Sequence, residues 1–200
     1  MKKITLSFLV VVFLVILAVG VRLAAANTIY MPIVSNPSPT PTSTPTPTPD
    51  PNPEALPNGG FEQGRVTWHE YSYQSHILIL KNSDIAHSGS WYAQLGGSNN
   101  AADSIDQTVV VPPDHPYLSF WRIIDSKETI CGNDVYKIYV KDTLIDNYPL
   151  CLGNTPEWHR KAYDLRAYSG QSVNITIRVE TNSFLISTLL LDDFEFRSTP

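Results

Sequence analysis

The sequence is short of charge, of cysteine and of every common catalytic signature. Only 16% of its 200 residues are Asp, Glu, Lys or Arg, and the formal charge is −5. Nucleic-acid binders carry basic patches or stripes, so this balance excludes that class of partner. No run of like charges forms an electrostatic tail. The two cysteines do not form a CxxC pair, which leaves no paired-Cys zinc or dithiol redox pattern. HExxH, GxSxG and Gly-rich phosphate-loop motifs are absent too. His69, His76, His87, His115 and His159 are scattered beside turns or at polar strand positions, which suits surface imidazoles better than general bases. Past residue 56 no long apolar stripe has a helical period, which excludes a helical bundle. These absences point to a protein that is not an enzyme.

What is present begins with an export signal. Lys2 and Lys3 precede an apolar stretch from Ile4 to Val21, and Ala24, Ala25 and Ala26 supply the small residues a signal peptidase reads. Residues 1-26 therefore read as a signal peptide. The apolar run also approaches the ~20 residues that span a bilayer, so an uncleaved N-terminal anchor is the alternative. Contact with a membrane is expected only in that second case. No cysteine follows the run to carry a lipid. Either way, the chain from Asn27 onward is expected outside the cytoplasm, secreted or tethered to the cell surface.

Residues 27-35 form a short apolar peptide around Tyr30, Met31, Pro32, Ile33 and Val34. A linker over 36-55 follows, with proline at nearly every second position between Pro37 and Pro53. Each proline fixes φ and removes a backbone donor, so neither helix nor sheet can propagate. An extended spacer of this kind rises ~3.1 Å per residue, or about 50 Å between those prolines.

Residues 56-200 carry strand and turn signals throughout. Val173, Ile175, Ile177 and Val179 alternate with polar residues, as do Tyr136, Ile138 and Val140 with Lys137, Tyr139 and Lys141. Ile105, Gln107, Val109 and Val111 form one face of another strand, which Pro112 and Pro113 end. Tyr117 to Ile124 and Leu185 to Phe196 are further apolar runs. Turn signals at Asn58, Ser88, Gly96 and Ser169 fall between them. About eight to ten short strands predict an all-β, two-sheet antiparallel sandwich of jelly-roll type. Cys131 and Cys151 flank a predicted hairpin that turns at Lys141 and Asp142, which brings them close enough to pair. In an oxidising compartment this favours a disulfide over two free thiols.

Asn58, Gly59, Gly60, Phe61 and Glu62, followed by Trp68 and closed by Leu191 to Phe196, resemble the opening and closing strands of the galactose-binding-like jelly rolls and carbohydrate-binding modules. The segments Ala86 to Ala93, Asp103 to Thr108, Leu118 to Trp121 and Tyr163 to Gly170 resemble the turn and middle strands of the same superfamily. The stalk and the peptide before it resemble stalked secreted or surface proteins of filamentous bacteria. The resemblance implies a non-catalytic binding module for carbohydrate or another cell-surface polymer. The alternative is a structural or protein–protein module displayed on a stalk.

The resemblance also implies one structural calcium ion, held by Glu62 and Asp192 with backbone oxygens of His87 and Ser90, since hard cations take six to eight oxygens. Asp192 shares parity with Phe194 and Phe196, which places it towards the core, where an unpaired carboxylate is costly. If the register differs, Asp193 takes its place. The plainer reading makes Glu62 and Asp192 turn residues that accept local amides. Trp121, Tyr136, Tyr139 and Trp158 are ligand-stacking candidates by type, each with a buried core role as the alternative. Tyr139 shares the wet parity of Lys137 and Lys141, which makes it the best of the four. Glu70, Tyr71 and Tyr73 are placed to line an edge loop.

Overall fold

The structure, a computed structural model, describes residues 55–200. The signal segment, the short apolar peptide and the linker up to residue 54 lie outside the described residues. Ten strands follow in chain order: β1 (His69–Ser72), β2 (Ile79–Lys81), β3 (Trp91–Gly96), β4 (Ala102–Val110), β5 (Tyr117–Ser126), β6 (Val135–Val140), β7 (Thr143–Pro149), β8 (Thr155–Asp164), β9 (Ser172–Glu180) and β10 (Ser187–Arg197). They form two five-stranded sheets. Sheet A has the order β1-β4-β9-β6-β7 and sheet B the order β2-β3-β10-β5-β8. All pairings are antiparallel. This is the expected sandwich.

The alternation seen in the sequence sets which side chains fill the space between the sheets. Ile105 and Val109 of β4, Tyr136, Ile138 and Val140 of β6, and Val173, Ile175, Ile177 and Val179 of β9 are buried from sheet A. Leu95, Leu118, Phe120, Ile124, Leu189, Leu191, Phe194 and Phe196 meet them from sheet B. Gln107 also points inward, and its side-chain Nε2 donates to the Pro57 carbonyl and the Thr67 hydroxyl, each at 2.9 Å. Burial of apolar surface at ~25 cal/mol per Å² is the main force holding the layers together.

One expectation about facing is corrected. Asp192 is fully buried, but not in the core. It pairs with Trp121 of β5, whose neighbours Leu118 and Phe120 point inward, so Asp192 and Trp121 share the outer side of sheet B. A register shift between Asp192 and Glu195, with Asp193 at φ 48°, then returns Phe194 and Phe196 to the core. The extra residue of a β-bulge resets the two-residue period, which is why counting parity along the strand misplaces Asp192. Its burial comes from a turn folded over it.

Candidate functional site

The motif around Asn58 builds the end of the sandwich where the first and last segments meet. Asn58, at φ 55°, donates from its side-chain amide to the Gly64 and Val66 carbonyls and accepts from the Gln63 amide. Its own carbonyl accepts the Trp68 indole N–H at 2.9 Å. Phe61, Trp68 and Phe194 then pack ring on ring with centroids 5.0–5.9 Å apart. Gly59 lies against the last strand so closely that a Cβ there would stand 1.9 Å from the Phe194 carbonyl oxygen. The motif is thus a structural plug.

Beside it sit the acidic residues singled out from the sequence. Asp192 Oδ2 accepts the backbone N–H groups of His87 at 2.9 Å and Ser88 at 3.2 Å, and Oδ1 accepts that of Asp193 at 2.8 Å. Glu62 Oε1 accepts the N–H groups of Ser90 and Trp91 at 2.8 and 2.9 Å. The turn can approach this closely because residue 89 is glycine at φ +59°, where a Cβ would stand 2.3 Å from the Glu62 carboxyl carbon. Desolvation, and next the charge of Asp193, push the Asp192 carboxyl up to about 7 against the opposing pull of the three amides.

His87 and Ser90 meet the carboxylates through their N–H groups. The Ser90 carbonyl is itself taken by the Asn82 amide at 2.8 Å. Among the described residues, no group of three or more His, Cys, Asp or Glu is placed to hold a metal ion.

The four aromatic candidates separate. Tyr136 is fully buried and takes the core reading, which removes it as a stacking platform. Its hydroxyl bonds Arg122 and, at 3.1 Å, Tyr163, whose own hydroxyl donates to Asp146 at 2.6 Å. Burial pushes the Tyr136 phenol up to about 12 and raises that of Tyr163 as well. Trp121 and Trp158 come together on sheet B, but around His87: its ring stacks on Trp121 at 4.1 Å and meets Trp158 edge-on at 5.5 Å. His87 Nδ1 in turn lies 2.5 Å from Asp193 Oδ2. A cavity of about 330 Å³ opens beside Trp121 and Asp193.

Tyr139 stands apart, on the outer face of sheet A. The strand register sets two rows across that sheet. His69, Asp106, Thr176, Tyr139 and Leu144 form one, and Tyr71, Ser104, Arg178, Lys137 and Asn147 the other. With strands about 4.8 Å apart, each row is about 19 Å long.

Ion pairs cross this face. Lys137 reaches Glu180 at 2.5 Å and Arg178 reaches it at 2.8 Å, and Lys137 holds the Glu180 carboxyl below its ordinary range. Asp106 Oδ2 lies 3.3 Å from His69 Nδ1 and accepts the Asn174 amide at 2.9 Å. Tyr71 is 57% exposed. Glu70, by contrast, is structural, since it accepts the Leu78 and Ile79 amides and pairs with Arg65. By sequence Tyr71 falls in an edge loop, because β1 is only four residues long. Its parity with His69 is the signal that places it on this face.

Cys131 and Cys151 form the expected disulfide, with Cα atoms 5.5 Å apart. Among the described residues no helix is long and apolar enough to cross a membrane.

No family model matches the sequence. No curated protein matches it either. Solved structures do. TmCBM61, in complex with beta-1,4-galactotriose, superposes with a TM-score of 0.55 at 19% identity over 71% of this chain and 96% of that one. A structure from work on the promiscuous specificity of carbohydrate-binding modules of the β-sandwich superfamily gives 0.52 at 13% identity over 74% of this chain and 62% of that one. At these identities the likeness shows the fold, a β-sandwich of the kind carbohydrate-binding modules have.

Proposed function

We propose that this chain is a non-catalytic carbohydrate-binding module whose ligand, a neutral polysaccharide, lies across the outer face of sheet A. The observation that carries this reading is the pair of residue rows crossing all five strands, with Tyr139 in one and Tyr71 in the other. Aromatic rings offer a flat apolar surface to a sugar face, while Thr176, Asn174, Asn147 and Ser104 offer hydrogen-bonding groups to hydroxyls. Lys137 and Arg178 share the Glu180 carboxylate and His69 lies beside Asp106, so the face carries little net charge to recruit an acidic glycan. The fold it shares with carbohydrate-binding modules supports the same reading. The N-terminal signal and stalk extend it to a module displayed outside the cell.

The test is a glycan-array screen of the full chain with calcium and again with a chelator. Selective retention of neutral glycans supports the proposal. A folded protein that binds none contradicts it and favours the protein-interaction alternative. Loss of binding or of melting temperature on chelation would establish the calcium ion that the Glu62 and Asp192 motif implies. Indifference to chelation assigns both carboxylates to the backbone amides.

A further inference from the structure

At the end of the sandwich formed by the β5–β6 and β9–β10 loops, the inward-facing rows turn polar. Asp103 of β4, Ser126 of β5, Asp134 just before β6 and Ser187 at the start of β10 are all buried. Each shares the inward parity of its strand, whose other inward positions are mostly apolar. Their contacts run from one to the next. Asp103 Oδ2 accepts the Gly96 amide at 2.9 Å, Gly97 donates its amide to the Ser187 carbonyl at 2.8 Å, and the Ser187 and Ser126 hydroxyls meet at 2.8 Å. Ser126 Oγ then accepts the Glu128 amide, and Glu128 Oε2 accepts the Asp134 amide, both at 3.2 Å.

This layer holds acid without a matching base. Asp134 is fully buried, and its Oδ2 has no hydrogen-bond partner. Buried polar atoms in folded proteins are nearly always paired, and a buried carboxylate without a counter-charge is costly. Glu128 brings a second carboxylate against the same residue. The neighbouring cations are engaged elsewhere: Lys127 pairs with Asp125 at 2.6 Å, and Lys137 and Arg178 pair with Glu180.

The acids can be reached from solvent. Glu128, Asn133 and Asn182 line a cavity of about 450 Å³ between the two loops, and no Lys or Arg lines it. Asp134 Oδ1 accepts the Asn182 amide at 2.8 Å, which turns the carboxyl towards that lining. The loop that carries both acids is fixed. Lys127 donates its amide to the Ile186 carbonyl at 2.9 Å, and the disulfide anchors Cys131 midway between Glu128 and Asp134. Gly132, at φ +110°, gives the turn that folds the loop back.

The donor set narrows the occupant to a hard cation. Two carboxylates, two carboxamides and a hydroxyl are all oxygen, with no thiolate or imidazole to favour zinc or copper. Two acids fall short of a cluster of three, so neutral oxygens must complete the shell, as backbone and Asn carbonyls do in calcium loops. Magnesium demands a near-ideal octahedron, whereas calcium accepts the irregular geometry of such a loop.

We propose that Glu128 and Asp134 form a calcium site at this end of the sandwich, separate from the Glu62 and Asp192 pair, with Asp134 Oδ2 as its buried ligand. The ion fixes the β5–β6 loop, whether or not a glycan is bound.

The test is amide chemical-shift mapping of the isotope-labelled full chain, first treated with a chelator and then titrated with calcium chloride. The titration runs to about 10 mM, above the ~10⁻⁴–10⁻³ M at which extracellular modules bind calcium. The expected result is saturable shifts over 128–134 and at Asn182, distinct from any around Glu62, His87 and Asp193. Glu128→Gln should weaken them at least tenfold, since affinity follows ligand charge. This variant keeps an oxygen to accept the Asp134 amide, so it folds. Magnesium chloride at the same concentration should shift these amides far less. No saturable shift over 128–134, whatever happens around Glu62 and Asp192, overturns the site and leaves Asp134 Oδ2 to a buried water. Equal affinity in the wild type and Glu128→Gln overturns it as well. An equal response to magnesium overturns the choice of calcium.

Discussion

The two ends of this sandwich are built on opposite plans. Where the first and last segments meet, the aromatic rings of Phe61, Trp68 and Phe194 are buried against one another, and Glu62 and Asp192 are satisfied by backbone amides. At the end made by the β5–β6 and β9–β10 loops, the large side chains of Ile130 and Phe184 stand in water, and the loop beneath them is fixed by a covalent bond and by hydrogen bonds. The first end uses its residues to hold the fold. The second holds in place loop residues 127–133, none of which joins the core.

Mutations separate the two ends in order of effect. Phe194→Ala, at the packed end, should cost about 3–5 kcal/mol, the range for removing a buried aromatic ring. Denaturant unfolding would measure it, and a loss below about 1 kcal/mol would deny that the ring cluster is a keystone. Replacing both Cys131 and Cys151 by Ser should cost about 3 kcal/mol, because the bond closes a loop with a sequence separation of 20. The same measurement reads it, and glycan binding on sheet A should be unchanged.

A smaller effect, at the packed end, depends on pH. The Asp192 carboxyl is raised to about 7, above its ordinary value, so the folded state holds a proton that the unfolded chain releases near pH 4. Stability from this group is fully present below about pH 4 and is lost as the pH rises towards 7. Thermal melts of the chelated protein should therefore fall over that window, and Asp192→Asn should flatten the slope. A wild-type curve parallel to that of Asp192→Asn across the window would contradict this assignment. Smallest of all, Phe184→Ala should change stability by no more than about 0.5 kcal/mol, as expected of an exposed side chain. A larger loss would mean that the loop end serves the fold after all.

How much of this was legible follows from which rules each region obeys. The strands of β4, β6 and β9 keep a strict two-residue period, so the facing of Ile105, Tyr136, Tyr139 and Ile177 could be read directly. The bulge after Asp192 breaks that period within one strand, and no feature of the local composition announces it. Asp192 was therefore legible as a buried acid but not as one on the outside of sheet B. Leu185 and Ile186 read as the start of the last strand because they are apolar, whereas β10 begins at Ser187 and both belong to the exposed lip. The turn residues Asn182 and Ser183 just before Phe184 were the available signal. Trp121 and Trp158 were legible as aromatics of interest, but their packing around His87 is a tertiary contact between residues more than thirty positions apart.

Whether a neutral glycan lies across sheet A is read by calorimetric titration of the wild type and Tyr139→Ala with a glycan retained on the array, at low and high salt. Wild-type binding should barely change with salt, and the variant should lose at least tenfold in affinity, or about 1.4 kcal/mol. Equal binding by both proteins, or wild-type affinity that collapses as salt is raised, would contradict a neutral glycan on sheet A.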